Sequence, residues 1–89
     1  MWKIKYCSPW GHKPAAESLS VEMKELGFKV VIEEGETGQF ELFKEVMVQK
    51  TKHMSTTEWV SYMKKGQGTN EKIFTLRDFE LKLSGITPE

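Results

Sequence analysis

The chain has 89 residues with 13 Lys and Arg against 13 Asp and Glu, so its formal net charge is zero. That balance excludes a global electrostatic pull toward nucleic acid or acidic membranes. The single cysteine excludes an intrachain disulfide and a cysteine-rich zinc site, and 38% hydrophobic with 29% charged residues fits a soluble globular protein rather than a disordered one. One small domain, 1–89, is expected, with a thin core to which most elements contribute a face. A free thiol, the lack of a long apolar run and an N-terminus that enters a strand pattern directly predict an uncleaved cytoplasmic protein that does not use a membrane.

Taken in chain order, Trp2, Ile4 and Tyr6 alternate with Lys3, Lys5 and Cys7, the period of a strand with one buried face. Ser8-Pro9-Trp10-Gly11 breaks that strand. Pro14 suits the first turn of a helix, Ala16, Leu19, Met23 and Leu26 follow at helical spacing, and Gly27 is its stop. Glu17 lies near the helix start, on the favourable side of the dipole. Phe28–Ile32 is dense in β-branched residues and reads as a second strand, followed by a polar loop through Gly38.

The stretch from Phe40 to Gln49 carries two periodicities. Phe40, Leu42, Val46 and Val48 share strand parity, interrupted by Lys44, whereas Phe40, Phe43 and Met47 share a helical face. Aromatic and β-branched content favours the strand. Ser55 and Glu58 have the spacing of a capping box, with Met54 and Trp59 placed as a hydrophobic staple. A short helix bearing Trp59, Tyr62 and Met63 is therefore expected, ended by Lys64-Lys65-Gly66 and followed by a loop at Gln67-Gly68-Thr69-Asn70. Thr75 and Asp78 repeat the capping spacing with Phe74 and Phe79 as staple, and Leu76, Phe79 and Leu83 line a last helix closed by Gly85. The expected order is β-α-β-β-α-α. A strand, helix and strand in succession predict two parallel strands joined by a right-handed crossover, in an α/β domain with one mixed sheet.

Cys7 is the first chemical candidate. A thiol at the end of a strand and just before a helix N-terminus stands where helix N–H groups favour a thiolate, and His12 and Lys13 are close enough in sequence to tune it. The opposing reading is a small buried residue. His12 and His53 have no metal-ligand or Cys-His spacing. The loops at 35–38 and 66–68 lack the register of a phosphate cradle. Glu33, Glu34, Glu36 and Glu41 lack the ligand spacing of a calcium loop. Charge is unevenly spread: eight Glu fall between Glu17 and Glu45, whereas Lys50, Lys52, Lys64, Lys65 and Lys72 dominate the following segment. With Trp59 and Tyr62 interleaved, those lysines make a candidate surface for a protein or a single-stranded nucleic acid.

Tyr6-Cys7-Ser8-Pro9-Trp10-Gly11-His12-Lys13-Pro14-Ala15-Ala16, with Leu19, Met23 and Leu26, resembles the opening of the selenoprotein W-like (Rdx) family. Glu34-Gly35 through Gly38-Gln39-Phe40-Glu41-Leu42 is similar to that family's glycine loop and the strand after it. The resemblance covers Lys3 to Leu42, and within residues 44–72, read as a family-specific insertion, Lys50 to Met63 looks inserted. It implies a thioredoxin-like fold, no bound cofactor and thiol-based redox activity with Cys7 as the first thiol. The family's second position, cysteine or selenocysteine, is Trp10 here, so the dithiol cycle lacks its resolving sulfur. Three readings follow: a relative that keeps the fold for binding, a single thiol working with glutathione or a thiol protein, or a selenocysteine codon read as tryptophan.

Overall fold

The structure is a computed structural model that describes residues 1–65 and 72–85. Its elements are β1 (Trp2–Tyr6), α1 (Lys13–Glu25), β2 (Val30–Glu34), β3 (Phe40–Gln49), β4 (Ser55–Lys64) and α2 (Leu76–Leu83). The four strands form one mixed sheet in the order β2-β1-β3-β4. β1 pairs parallel with β2, Trp2 opposite Val30 and Tyr6 opposite Glu34, and antiparallel with β3, Ile4 opposite Leu42. β3 and β4 make an antiparallel hairpin.

Period-two alternation in β1 decides the layering. Trp2, Ile4 and Tyr6 are buried on one face, and both helices pack there: Ala16, Leu19 and Met23 of α1 and Phe79 of α2 belong to the same cluster, joined by Val30, Phe40 and Leu42. Trp2 is the hub of its aromatic part. Its ring centroid lies 5.0 Å from Tyr62, 5.1 Å from Phe79 and 6.0 Å from Phe28, all edge-to-face, the arrangement aromatic quadrupoles favour. The helix ends follow local chemistry. Pro14 occupies the first turn of α1, and Gly27, at φ 96°, lets the chain leave it. At α2 the expected capping box of Thr75 and Asp78 is present, with the Thr75 N–H donating to the Asp78 carboxylate at 2.7 Å. Leu26 and Leu83 extend their apolar stripes on paper, but both are exposed because they sit at the helix ends beyond the sheet's cover. Glu17 falls one position outside the first turn of α1, which holds no acidic residue.

The opposite face of the sheet has no second layer among the described residues. Lysine side chains cover its aromatic rings instead: Lys3 Nζ lies 4.4 Å from the Trp59 ring centroid and Lys5 Nζ 5.8 Å from that of Phe43. Lys3 also meets Glu33 at 3.2 Å.

The segment expected to be a helix after Ser55 is a strand, so the order is β-α-β-β-β-α. Two causes act together. Thr56, Thr57, Trp59, Val60 and Tyr62 are poor helix formers that suit a pleated surface. Pairing along β4 also satisfies the backbone of β3 from Glu41 to Gln49. Glu58, the residue required by the capping box, instead meets Lys50 across the hairpin at 2.9 Å. The strand reading of 40–49 holds, and Lys44 does not interrupt it: it lies opposite Trp2 and extends its Nζ over that ring. The β3–β4 register shifts between Leu42 and Phe43, which pair with Met63 and Ser61 and leave Tyr62 as an extra residue. This bulge turns Tyr62 and Met63 together onto the core while Trp59 and Ser61 keep the open face. The expected loop at 67–70 lies outside the described residues.

Candidate functional site

Cys7 follows the last residue of β1, and the chain turns immediately. The Gly11 N–H donates to the Ser8 carbonyl at 2.9 Å and the His12 N–H to the Cys7 carbonyl at 3.2 Å. Gly11 sits at φ 74°, a left-handed conformation that a side chain would strain. This turn carries Cys7 inward. Its exposure is 0%, and it ranks among the fully buried side chains with Ile4, Met23, Phe40 and Phe79.

His12 is the N-cap of α1 but caps nothing with its side chain. The ring is buried and turned the other way, with Nδ1 3.4 Å from the Gln39 carbonyl and its edge toward Phe40. It therefore ties the β1–α1 turn to the β2–β3 loop. That loop is held by its own polar contacts: the Glu36 N–H donates to Gln39 Oε1 at 2.8 Å, and Gln39 Nε2 donates to Glu41 Oε1 at 2.9 Å.

Trp10 completes the junction. A β-carbon added at Gly38, itself at φ 79°, would stand 3.3 Å from the Trp10 ring, so the indole rests against bare backbone. Lys65 Nζ lies 5.5 Å from the same ring. Only 7% of Lys65 is exposed, and its N–H donates to the Phe40 carbonyl at 2.9 Å. Trp10 is 47% exposed and spans three separate parts of the chain. The position expected to hold a second sulfur is thus filled by a ring that clamps the β2–β3 loop and the end of β4.

Cys7, Trp10, His12 and Lys65 gather at one end of the sheet. The other basic and aromatic candidates do not join them. Tyr62 packs into the core, and Trp59 lies on the open face beneath Lys3. Lys64 ends β4, whereas Lys50 and Lys52 flank the hairpin turn, about 30 Å away along a strand that rises about 3.3 Å per residue. His53, at the same turn, is remote from Cys7. Among the described residues, no three His, Cys, Asp or Glu side chains form a metal-binding group, and no helix is long and apolar enough to cross a membrane.

Sequence reasoning missed two features. Lys65 looked like a helix terminus, and nothing local marked it as a buried partner of Trp10. The second is the outer half of the β3–β4 hairpin. β1 pairing ends at Trp2 opposite Lys44, with one further bond from the Glu45 N–H to the Met1 carbonyl. Residues 46–49 and 55–58 therefore extend as a two-stranded arm. Met47 and Met54 stand 79% and 61% exposed on it. Two exposed methionines separated by a polar turn were the available signal.

Comparison with protein-family models, with curated proteins and with solved structures finds no match to this chain.

Proposed function

We propose that the chain is an Rdx-type, thioredoxin-like domain that keeps the architecture of a thiol protein and serves as a non-catalytic binding module for another protein. The observation that carries this reading is the complete burial of Cys7 beside a position held by Trp10. A thiol reacts through an accessible thiolate, and a dithiol cycle needs a resolving sulfur next to it. The parallel β1–α1–β2 unit, the cysteine at its first turn and the antiparallel β3 and β4 support the architectural part of the reading.

Protein is favoured over nucleic acid as partner by the state of the aromatic residues. Base stacking needs bare rings, but Tyr62 is in the core and Lys3 and Lys5 lie over Trp59 and Phe43. The exposed Met47 and Met54 are instead the adaptable apolar groups that protein-binding surfaces use.

Incubation of the folded protein with oxidised glutathione at neutral pH tests the non-catalytic reading. Mass spectrometry is expected to show no glutathionyl adduct on Cys7 until denaturant is added. Stoichiometric mixed disulfide on the folded protein would restore the single-thiol redox reading.

A further inference from the structure

We propose that the outer edge of β4 accepts an extended, acidic peptide segment of a partner protein as a fifth strand of the sheet. The proposal rests on the binding-module reading and names the site and the chemistry of its occupant.

β4 is the last strand in the order β2-β1-β3-β4, and no described residue lies beyond it in the sheet. The hydrogen-bonding phase along it can be counted from the turn. The Lys50 N–H donates to the Met54 carbonyl at 3.0 Å, and the antiparallel register continues from Gln49 opposite Ser55 to Phe43 opposite Ser61. Antiparallel pairs alternate between those that exchange bonds and those that do not. Thr56, Glu58 and Val60 therefore bond inward to β3, and Ser55, Thr57, Trp59 and Ser61 direct their N–H and C=O groups outward.

Folded proteins commonly disarm such an edge with proline, with repeated lysines or by keeping the strand short. From Ser55 to Ser61 this edge has no proline and no lysine, and its bulge lies beyond at Tyr62. The run is rich in Thr, Trp and Val, types suited to pairing. Because the arm formed by 46–49 and 55–58 lacks a third strand, an added one would bring it to the size at which sheets become stable.

Charge selects the occupant. Residues 44–64 hold Lys44, Lys50, Lys52 and Lys64 against Glu45 and Glu58, and because Lys50 and Glu58 pair with each other, Lys44, Lys52 and Lys64 are left against Glu45. The opposite edge of the sheet, β2, ends in Glu33 and Glu34 with Glu36 following. An acidic strand is thus attracted to β4 and repelled from β2. Main-chain bonds would supply affinity, and side chains alternating onto Val60 on one face and Met47 on the other would supply specificity.

The test is amide hydrogen exchange and chemical-shift perturbation by NMR, using a capped peptide of about eight residues in which Glu alternates with Val or Thr. Binding is expected to protect the amides of Ser55, Thr57, Trp59 and Ser61. Replacing Glu by Lys in the peptide, or Thr57→Pro in the protein, is expected to weaken binding by at least about tenfold. The proline removes an outward N–H and leaves the β3 ladder intact. The wild-type protection pattern and the Lys-peptide comparison judge the proposal even if that variant folds poorly. Absence of binding, equal binding of the Lys peptide or protection on β2 would overturn it. Concentration-dependent self-association by gel filtration that occupies the same β4 amides would also overturn it, since the occupant would then be a second copy. A glutathione adduct on Cys7 would leave these outcomes unchanged, so the two readings fail separately.

Discussion

Phe79→Ala is expected to remove about 3–5 kcal/mol of stability, a large part of the about 5–15 kcal/mol that holds a domain of ordinary stability folded. Phe79 is fully buried and is the only residue of α2 in the buried class. Its ring meets Trp2, Phe28 and Tyr62 at centroid distances of 5.1, 5.4 and 5.9 Å. One truncation therefore opens a cavity where β1, β4, α2 and the segment before β2 converge. The chain cannot collapse into it easily, because Trp2 is held in the centre of the sheet between β2 and β3. Urea unfolding followed by tryptophan fluorescence should show the midpoint falling with little change in slope. A loss below about 1 kcal/mol would mean that α2 is not docked on this face.

Val60→Pro and Thr57→Pro are expected to differ sharply, although both lie in β4 and neither is buried. Val60 faces Lys44 in a bonded pair, so proline there deletes a ladder bond and leaves a β3 carbonyl without its donor. A cost of about 3 kcal/mol is expected. Thr57 directs its N–H away from β3, and proline there should cost less than about 1 kcal/mol. Circular dichroism melts of the two variants measure the difference. Equal destabilisation would contradict the β4 register, as would a Val60 variant as stable as the wild type.

That segment shows where sequence reading stopped. The alternation of β1, the stripe and stop of α1 and the capping spacing at Thr75 each depend on a few neighbouring residues, and each appears in the structure near its expected place. The Ser55–Glu58 capping spacing is equally local, but a competing long-range demand prevailed there: β3 needed a partner strand, and Glu58 found Lys50. The candidate site follows the same division. The strand-to-turn position of Cys7 was readable from Tyr6 to Pro14. Its burial was not, because it depends on residues distant in sequence. The contacts of Trp10 with Gly38 and Lys65 join three parts of the chain and leave no periodic trace. The dispersal of Lys50, Trp59, Tyr62 and Lys64 was hidden for a related reason. A helix would have gathered Trp59 and Tyr62 on one face, whereas a strand sends alternate residues to opposite faces.

Trp10 has a different meaning in the structure than in the sequence. In the sequence, the resemblance made it the place where a second sulfur was expected. In the fold it is a clamp resting on Gly38, under the ammonium of Lys65, in the turn that follows the buried Cys7. Burial of that thiol is the claim on which the functional reading depends. Its most direct test is the rate at which iodoacetamide alkylates Cys7 as urea is raised. Labelling in native buffer is expected to be slower than in the unfolded chain by a factor near the folding equilibrium constant, about 10³ or more. The rate is expected to rise with urea along the slope of global unfolding. A native rate within about tenfold of the unfolded rate, independent of urea, would show an accessible thiol and contradict it.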